Sequence, residues 1–406
     1  STLLGMISGS AAGNVAVTGT LTIPMMKKEG YKPHQAGSIE AVVSTGGQIM
    51  PPVMGAAAFI MAEIVGVPYA SIMKAALIPA LLFFTSLFFV VHLQAHKNGI
   101  EPYPMEEETA QESIWMLLAR GGQFIVPFLS LIFLMLNGYS PFKSSFYSII
   151  ILLVLHVTWT RRVRLDLLKK SAIAITEGTK AVIPIAIACA AAGIIAGTLG
   201  VTGLGSKISG LIITASGGIT FFALLFTMIT AIILGMGLPT TAAYLILATV
   251  VSPALASMGV PLLTAHLFVF FYGCVSTITP PVALASYVAA GIAKADINQV
   301  GWTAFFYGIT CYILPFMFFY GPALLMDGSV VAIIGAIASG TAGVFCIAAG
   351  VVGFMRARLT WFVRAIIVGG GILLLHQSAL TDAAGLAILA ATWLLIKPAK
   401  QREVIA

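Results

Sequence analysis

Two short stretches concentrate the residues that could bind a ligand in this otherwise apolar chain. Residues 44–52 read STGGQIMPP, and residues 276–281 read STITPP. Proline lacks a backbone N–H donor and glycine weakens helices, so each stretch should interrupt a helix and free carbonyl oxygens. Hard cations such as Na⁺ prefer oxygen ligands. Together with the glycine-rich stretch 235–241, these segments predict the following cation ligands: Ser44, Thr45, Gly47, Gly235, Gly237, Ser276, Thr277 and Thr279.

Two glycine-rich stretches, GSAAGN at 9–14 and GMGLPTT at 235–241, each precede an apolar segment. The helices that follow should begin near Ala12 and Thr240. A helix N-terminus has free N–H groups and about half a positive charge, so it attracts anions. We therefore predict a carboxylate site beside the cation ligands. The alternative is that proline and glycine only kink packed helices; the recurrence of the pattern favours a site.

The composition sets the class of protein that must position these residues. Of 406 residues, 59% are hydrophobic and 9% are charged, and the mean hydropathy is +1.03. Soluble domains carry about 25% charged residues, so the chain is predicted to be an all-α integral membrane protein. The four cysteines lie in apolar segments without metal-binding spacing, which favours a role as small buried residues.

Apolar segments that could cross all or half of about 30 Å of hydrocarbon recur along the chain. We predict them at 12–26, 35–65 (interrupted at 44–52), 70–95, 117–136, 143–160, 181–200, 211–256 (interrupted at 235–241), 261–293 (interrupted at 276–281), 300–325, 329–354, 361–375 and 383–396. If 211–256 is a re-entrant hairpin, the basic residues in outside loops are only Lys74, Lys143 and Lys207. The positive-inside rule then accounts for the net charge of +7, so the charge gives no reason to expect binding to nucleic acid. The same rule places the C-terminus in the cytoplasm.

An offset of 229 residues aligns two parts of the chain without gaps, pairing Pro24 with Pro253 and Pro52 with Pro281. Each copy has a glycine-rich tip, an apolar arm that ends at Pro24 or Pro253, a short loop and a broken helix. The loop after Pro24 is basic, whereas the loop after Pro253 is uncharged, so the copies should have opposite orientations in the membrane. This pattern predicts inverted-topology repeats with re-entrant helical hairpins and broken helices.

The repeat divides the chain into four predicted parts. They are the first repeat at 1–96, a connecting loop with two linking transmembrane helices at 97–170, the second repeat at 171–327 and C-terminal transmembrane helices at 328–406. The second copy starts with a scaffold span at 181–200 and an arm at about 218–234. The offset places their counterparts before residue 6, so we expect an N-terminally truncated piece of a longer protein.

The coupling ion and the reaction class depend on the few ionisable residues in apolar segments. Glu40, Glu63 and His266 are the candidates for proton coupling, and their scarcity favours Na⁺ over H⁺. The six histidines are scattered, and no GxSxG, HExxH or P-loop motif is present. The sequence therefore predicts a protein that is not an enzyme; an integral membrane enzyme is the remote alternative.

Four stretches resemble one known family. GSAAGNVAVTGTLTIPMMKKEGY, EAVVSTGGQIMPPVMGAAAFIMAEIVGVPY, LGMGLPTTAAYLILATVVSPAL and STITPPVALASYVAAGIA closely resemble the large membrane subunit of tripartite ATP-independent periplasmic (TRAP) transporters. They are most similar to the fused permeases that work with TAXI-type binding proteins. The resemblance covers about residues 1–325, and 329–396 resemble a C-terminal extension of some such permeases.

The resemblance implies an elevator-type mechanism, Na⁺ as the coupling ion with no further cofactor, and a periplasmic TAXI-type binding protein as partner. It also implies small-subunit helices, fused in the part missing from the N-terminus. Carried over position by position, the family's ion site adds Ser10 and Asn14 to the cation ligands. Its substrate positions fall on Ser10, Ala12, Gln48, Pro239, Thr240 and Thr241.

The predicted function is therefore the permease subunit of a secondary transporter that imports an organic acid. We expect it to be surrounded by lipid in a bacterial or archaeal cytoplasmic (inner) membrane, with many spans and no nucleic-acid partner. A binding-protein-independent or H⁺-coupled anion transporter of the same superfamily is the alternative.

Overall fold

The computed structural model describes residues 1–100, 114–160 and 165–396, and in these ranges the protein is helical, with no strand beyond one isolated bridge between Phe354 and Arg358. The predicted all-α class is confirmed. The α-helices are α1 (Thr2–Ser8), α2 (Ala11–Lys28), α3 (Pro33–Gly47), α4 (Gly55–Val65), α5 (Tyr69–Asn98), α6 (Ile114–Leu136), α7 (Pro141–Thr160), α8 (Leu165–Val201), α9 (Leu204–Ala215), α10 (Thr220–Gly235), α11 (Thr240–Val250), α12 (Ser252–Ser257), α13 (Leu262–Val275), α14 (Leu284–Ala293), α15 (Ile297–Tyr307), α16 (Ile309–Tyr320), α17 (Val330–Val352), α18 (Trp361–Leu375) and α19 (Ala379–Leu395).

Helix length separates full spans from half-spans. Within the described ranges, five helical stretches are long and apolar enough to cross a membrane: Tyr69–Asn98, Pro141–Thr158, Thr240–Ser257, Ile297–Tyr320 and Val330–Val352. A bent pair, Cys189–Val201 with Leu204–Ala215, makes a sixth if it counts as one span. Several further apolar helices, including α4, α10 and α14, have only 10–17 residues. At 1.5 Å per residue such helices are about 15 to 25 Å long, which is shorter than the hydrocarbon thickness of about 30 Å.

Both predicted Pro-Pro breaks are present, but the first begins later than predicted. α3 continues through Ser44, Thr45 and Gly47, and the chain leaves the helix only at residues 48–54. Glycine is tolerated in a helix, whereas Pro51 and Pro52 supply no N–H donor, so the prolines decide where the helix ends. The second break follows α13 through a short 3₁₀ turn, Ser276–Ile278. The bonds Pro51–Pro52 and Pro280–Pro281 are both cis.

The arms also differ from the predicted segments. α2 passes through Pro24 and ends at Lys28, rather than at the proline. In the second copy, the predicted apolar run 211–256 is divided by a turn at residues 216–219, where Gly217 and Gly218 have positive φ values. Those values belong to the left-handed region that glycine adopts readily, which explains why the helix stops there. The predicted segment 300–325 is likewise divided at Gly308.

Helix starts in the two copies follow the 229-residue offset. Three pairs of helices begin at aligned positions, namely α2 and α11 at Ala11 and Thr240, α3 and α13 at Pro33 and Leu262, and α4 and α14 at Gly55 and Leu284. The copies also interlock. α14 of the second copy packs against α2 and α3 of the first, while α4 of the first packs against α11 and α13 of the second. Both breaks therefore lie inside a shared core.

Further helices surround this core. α5 contacts α3, α4 and α16, and it packs along α17 of the C-terminal part. α17, α18 and α19 form a consecutive bundle. α6 and α7 pair with each other and carry many exposed large apolar side chains, such as Phe133 and Phe146, as expected for helices that face lipid. Part of the predicted connecting loop, 101–113, and the last residues, 397–406, lie outside the described residues.

Candidate functional site

A buried polar group occupies the place where the first tip meets the first break. Asn14, on α2, donates from Nδ2 to Ser44 Oγ at 2.9 Å and to the carbonyl oxygen of Ser1 at 3.0 Å. Only 1% of Asn14 is exposed, yet its Oδ1 atom has no hydrogen-bond partner in the described part of the chain. An unpaired buried acceptor costs free energy, and a bound cation would satisfy it. This oxygen therefore fits the predicted cation site.

The two breaks meet through their hydroxyl groups. Thr45 Oγ1 lies 3.2 Å from Thr277 Oγ1. Each hydroxyl also lies within donating distance of a carbonyl of its own helix, Thr45 of Ala41 at 2.9 Å and Thr277 of Cys274 at 2.7 Å. When both hydrogens point to those carbonyls, the two oxygens turn lone pairs toward each other. A cation that contacts both oxygens would stabilise that arrangement.

A second unpaired group faces the start of α11. Thr240 Oγ1 donates a hydrogen bond to Gln48 Oε1, which joins the first break to the N-terminus of the second arm. Gln48 is 1% exposed, and its Nε2 atom has no hydrogen-bond partner among the described residues. A buried amide N–H beside a helix N-terminus suits a carboxylate oxygen. The predicted substrate residues Gln48 and Thr240 are thus in direct contact.

Ser276 and Thr279, two further predicted ligands in the second copy, form hydrogen bonds to other groups of the protein. Ser276 Oγ donates toward the carbonyl oxygens of Gly235 at 3.0 Å and Gly273 at 2.8 Å. Thr279 Oγ1 donates to Val275 O at 2.7 Å and lies 2.6 Å from the hydroxyl of Tyr312 on α16. The structure thus places Thr279 against a tyrosine that the sequence analysis did not single out.

Several other predicted residues of the tips and the first break contribute mainly to helix capping and backbone geometry. Ser10 is the N-cap of α2 and accepts a hydrogen bond from Gly13 N at 3.2 Å. Gly47 lies against α1 so closely that a Cβ atom on it would come within 2.8 Å of Gly5 Cα. Gly237 has φ +75°, the left-handed region that suits glycine. Among the other predicted substrate residues, Ala12 is half-buried, Thr241 is buried, and Pro239 is the N-cap of α11.

Glu40 lies at the centre of a hydroxyl cluster that the sequence analysis missed. Its carboxylate, on α3, is 2% exposed and accepts hydrogen bonds from the hydroxyls of Ser1, Thr18, Thr22 and Ser44. No Lys, Arg or His forms an ion pair with it within the described ranges. Asn14, Thr18 and Thr22 are four residues apart on α2 and so share one helix face, which is the signal that could have found them.

The other two ionisable candidates differ from Glu40. Glu63 is exposed near the end of α4. His266 is buried on α13, and its Nδ1 lies 2.8 Å from the hydroxyl of Tyr244. Glu40 is therefore the one carboxylate of these candidates that is both buried and linked to a predicted cation ligand, because Ser44 contacts both Glu40 and Asn14.

These features define a multi-pass helical membrane protein with a polar site buried between two helix breaks, an architecture of secondary transporters. A family model described as "Tripartite ATP-independent periplasmic transporter, DctM component" matches residues 1–356. The chain therefore belongs to this transporter family, which is the large permease component expected from the resemblance.

Similarity to individual proteins is lower and partial. A stretch of 159 residues is 28% identical to "Uncharacterized protein YgiK" of Salmonella typhimurium and covers 38% of this chain and 35% of that protein. Another of 161 residues is 25% identical to "Uncharacterized protein y4mL" of Sinorhizobium fredii and covers 40% of this chain and 38% of that protein. Each match thus spans little more than a third of the relative's length.

Proposed function

We propose that the chain is the permease part of a Na⁺-coupled importer of an organic acid that a periplasmic, TAXI-type binding protein delivers. Its small-subunit helices would be fused outside the sequence described above, and the complete protein would lie in a cytoplasmic membrane. The proposal is carried by two buried polar atoms beside the end of α3, Asn14 Oδ1 and Gln48 Nε2, which have no hydrogen-bond partner within the part of the chain that the structure describes. One is an acceptor that suits a cation, and the other is a donor that suits a carboxylate.

The positions of these atoms suggest how ion and substrate binding could be coupled. Gln48 follows the last turn of α3, and Ser44 and Thr45 lie in that turn. A Na⁺ ion held by Asn14, Ser44 and Thr45 would fix the end of α3 and with it the direction of the Gln48 amide. The same ion would hold Thr45 against Thr277 of the other copy. Cation binding would therefore order the carboxylate site before substrate arrives, which is positive coupling between two sites.

An elevator motion agrees with how the helices pack. The interlocked unit of α2, α3, α4, α11, α13 and α14 contains both breaks, whereas α5 and α16 lie against it from outside. We propose that the interlocked unit carries the bound anion across the membrane while α5 and α16 stay in place.

The test is uptake by the complete transporter in proteoliposomes. Labelled organic acids are offered with and without the binding protein, under an inward Na⁺ gradient or an inward H⁺ gradient. Uptake that needs both the binding protein and Na⁺ supports the proposal. Thr277→Ala should raise the Na⁺ concentration for half-maximal uptake several-fold. Thr249→Ala is the matched control, since Thr249 is exposed on α11 and bonds only to its own helix.

Two outcomes would contradict separate parts of the proposal. Uptake without any binding protein would favour a transporter that works alone. An unchanged Na⁺ dependence of Thr277→Ala, at normal expression, would remove Thr277 from the cation site.

Proton coupling is the second candidate function, and the surroundings of Glu40 favour it. Among the described residues, only hydroxyl groups hydrogen-bond to this carboxylate, and a hydroxyl can either donate or accept. Thr18 Oγ1 is also 2.8 Å from Asn14 O, and Thr22 Oγ1 is 3.0 Å from Thr18 O. When Glu40 is ionised, these threonines donate to it. When it is protonated, it donates to one of them, which then donates to its helix carbonyl. The shell satisfies both charge states.

Glu40→Gln separates the two candidates. If H⁺ is the coupling ion, this variant loses uptake driven by the H⁺ gradient while it keeps exchange of internal for external substrate, which needs no net coupling. If Na⁺ alone is coupled, Glu40→Gln keeps Na⁺-driven uptake. A Glu63→Gln variant, with an exposed carboxyl removed, is the control in both cases.

A further inference from the structure

One segment of each hairpin lies against a break. We call residues 2–9, which comprise α1 and the residue after it, the first flap, and the aligned residues 231–238, at and after the end of α10, the second flap. The first flap covers the polar group of the first copy, because a Cβ atom on Gly5 would lie 3.1 Å from Asn14 Nδ2 and 3.3 Å from the carbonyl oxygen of Ser44. Asn14 and Ser44 are 1% and 0% exposed. A ligand can therefore reach this group from the side of α1 only after the first flap has moved.

The first flap rests on the first broken helix through glycines. A Cβ atom on Gly47 would lie 2.8 Å from Gly5 Cα, and one on Gly55 would lie 3.0 Å from Gly9 Cα. Backbone therefore meets backbone at both places, since glycine permits such a close approach. The four glycines have no side chains to interdigitate, so the flap can separate from α3 and α4 at these contacts without a change of rotamer.

Few side chains hold the first flap in place. Among residues 2–9, all of which the structure describes, Met6 is the one large apolar side chain that is buried, whereas Leu3 and Ile7 are 69% and 58% exposed. Within the described ranges, the side-chain hydrogen bonds between this region and α3 come from Ser1, which precedes the flap. A segment with few buried apolar contacts opens at a low cost in free energy.

The second flap is held more firmly. Ser276 Oγ donates toward the carbonyl oxygen of Gly235 at 3.0 Å, in a bond shared with Gly273 O, and so ties the end of α10 to the second break. The position aligned with Ser276 in the first copy is Gly47, which has no hydroxyl group. The second flap also packs apolar side chains against the core, namely those of Ile232, Leu234, Met236 and Leu238. The aligned flaps thus differ in how they are fastened.

We propose that the first flap is the gate through which the ion and the substrate leave the candidate site, while the second flap stays closed over its break during release. This inference rests on the proposed function. The basic loop after Pro24 predicts that the first hairpin opens to the cytoplasm, so its flap lies on the side where an importer releases its cargo. The second hairpin, whose loop after Pro253 is uncharged, is predicted to open to the other side.

The contacts of Asn14 connect this gate to cation binding. Asn14 Nδ2 donates to the carbonyl oxygen of Ser1 at 3.0 Å, directly before α1, and Oδ1 of the same amide is the unpaired acceptor proposed for Na⁺. A cation on Oδ1 would fix the amide plane and so hold the start of α1 over the site. Loss of the cation would leave the amide free to turn, and the flap would lose this support. Since a ligand that binds the closed state shifts the population toward it, the gate closes with the cation and opens after the cation leaves.

Backbone hydrogen exchange tests the gate without relying on uptake. The complete protein is placed in nanodiscs, and mass spectrometry follows peptides that cover the last turn of each arm, residues 5–8 of α1 and residues 232–235 of α10. The buffer contains either NaCl or choline chloride at the same concentration. In choline chloride, residues 5–8 should exchange about tenfold faster than residues 232–235. Na⁺ should slow the exchange of residues 5–8 about fivefold and that of residues 232–235 by less than about twofold.

Ser276→Ala tests the fastening of the second flap. The variant deletes the hydroxyl that donates toward Gly235 O, so exchange at residues 232–235 should rise about fivefold, while residues 5–8 should change by less than about twofold. The comparison is made in choline chloride, which keeps it separate from the predicted role of Ser276 as a cation ligand.

Gly5→Ala tests the glycine contacts of the first flap. The added methyl group would lie 3.1 Å from Asn14 Nδ2 and push the flap outward. Exchange at residues 5–8 should then rise in both salts, and its protection by Na⁺ should fall below about twofold. Gly210→Ala is the matched control, because Gly210 is helical on α9 and no neighbouring atom lies within 4 Å of the place that a Cβ atom would take. In the control, both arms should keep the exchange rates of the unaltered protein.

Two results would overturn the proposal, and a third separates it from the proposed function. Equal exchange rates of the two arms in choline chloride would mean that the flaps are equally fastened. Protection by Na⁺ that is confined to residues 232–235 would assign the gate to the second flap instead. Uptake that does not depend on Na⁺, together with fast exchange of residues 5–8 in both salts, would remove the proposed coupling ion but keep the first flap as the gate.

Discussion

The two copies have the same arrangement of arm and broken helix, which we call the frame, but they carry different side chains at aligned positions. At the positions of Asn14, Glu40 and Ser44 in the first copy, the 229-residue offset places Ala243, Val269 and Gly273 in the second. Thr18 and Thr22 likewise align with Leu247 and Val251, which are fully buried. At these five positions, the second copy therefore builds the same arm and broken helix from apolar residues.

This difference separates what the fold needs from what the site needs. Since the second copy forms without polar side chains at these five positions, the frame does not require them there. Burying a carboxylate without a cationic partner is costly in any protein, and more so in a membrane protein. This contrast supports the proposal that the polar cluster of the first copy binds Na⁺ or H⁺.

The copies also differ in how an aromatic residue meets the break. Phe83 on α5 and Tyr312 on α16 occupy aligned positions, and so do Gly46 and Val275. In the first copy, Phe83 lies so close to Gly46 that a Cβ atom there would be 2.2 Å from its ring. In the second copy, the Tyr312 hydroxyl lies 3.5 Å from Val275 O and 2.6 Å from Thr279. The first contact is steric, and the second is polar.

Gly46→Ala should have the largest effect on stability. The added methyl group would overlap the ring of Phe83, which is buried and would have to move, so we expect a loss of about 3 kcal/mol in the free energy of unfolding. Thermal unfolding of the purified protein and the yield of folded protein would measure it. Gly291→Ala is the matched control, because Gly291 is helical and no neighbouring atom lies within 4 Å of the place that a Cβ atom would take. Phe83→Leu should recover part of the loss, and similar melting points for both alanine variants would contradict the steric contact.

Removal of the polar contact in the second copy should have a smaller effect. Tyr312→Phe and Thr279→Val each delete one hydroxyl of a buried pair, which costs about 1 kcal/mol. Because each change removes the same contact between the two hydroxyls, the double variant should lose less than the two single losses together, with a coupling energy of about 0.5–1.5 kcal/mol. Unfolding of the four proteins gives this double-mutant cycle. Additive losses would show that the hydroxyls do not act as a pair.

The helix breaks and the repeat were easier to predict from the sequence than the side chains that meet at the site. Both Pro-Pro breaks, the second tip and the repeat offset follow from residue chemistry that acts locally, since proline and glycine limit helices wherever they occur. The continuation of α2 past Pro24 was not predicted, because a single proline can be accommodated inside a packed helix. Thr18, Thr22 and Tyr312 were missed because hydroxyls in membrane helices usually bond to their own backbone. Only the packing of α2 and α16 shows which hydroxyls also meet a partner.

Glu40→Val gives the first copy the residue that the second copy has at the aligned position, Val269. Of the changes considered, it should alter stability least. Thr18 and Thr22 keep acceptors in the carbonyls of Asn14 and Thr18, at 2.8 and 3.0 Å, so few hydroxyls are left unpaired. Removal of a buried carboxyl also removes its desolvation cost. We expect a change within about 1 kcal/mol of the free energy of unfolding, together with loss of any uptake driven by the H⁺ gradient. Glu63→Val, which alters an exposed acid, should affect neither. A loss of several kcal/mol in Glu40→Val would mean that the cluster holds the first copy together, and the contrast between the copies would then be structural.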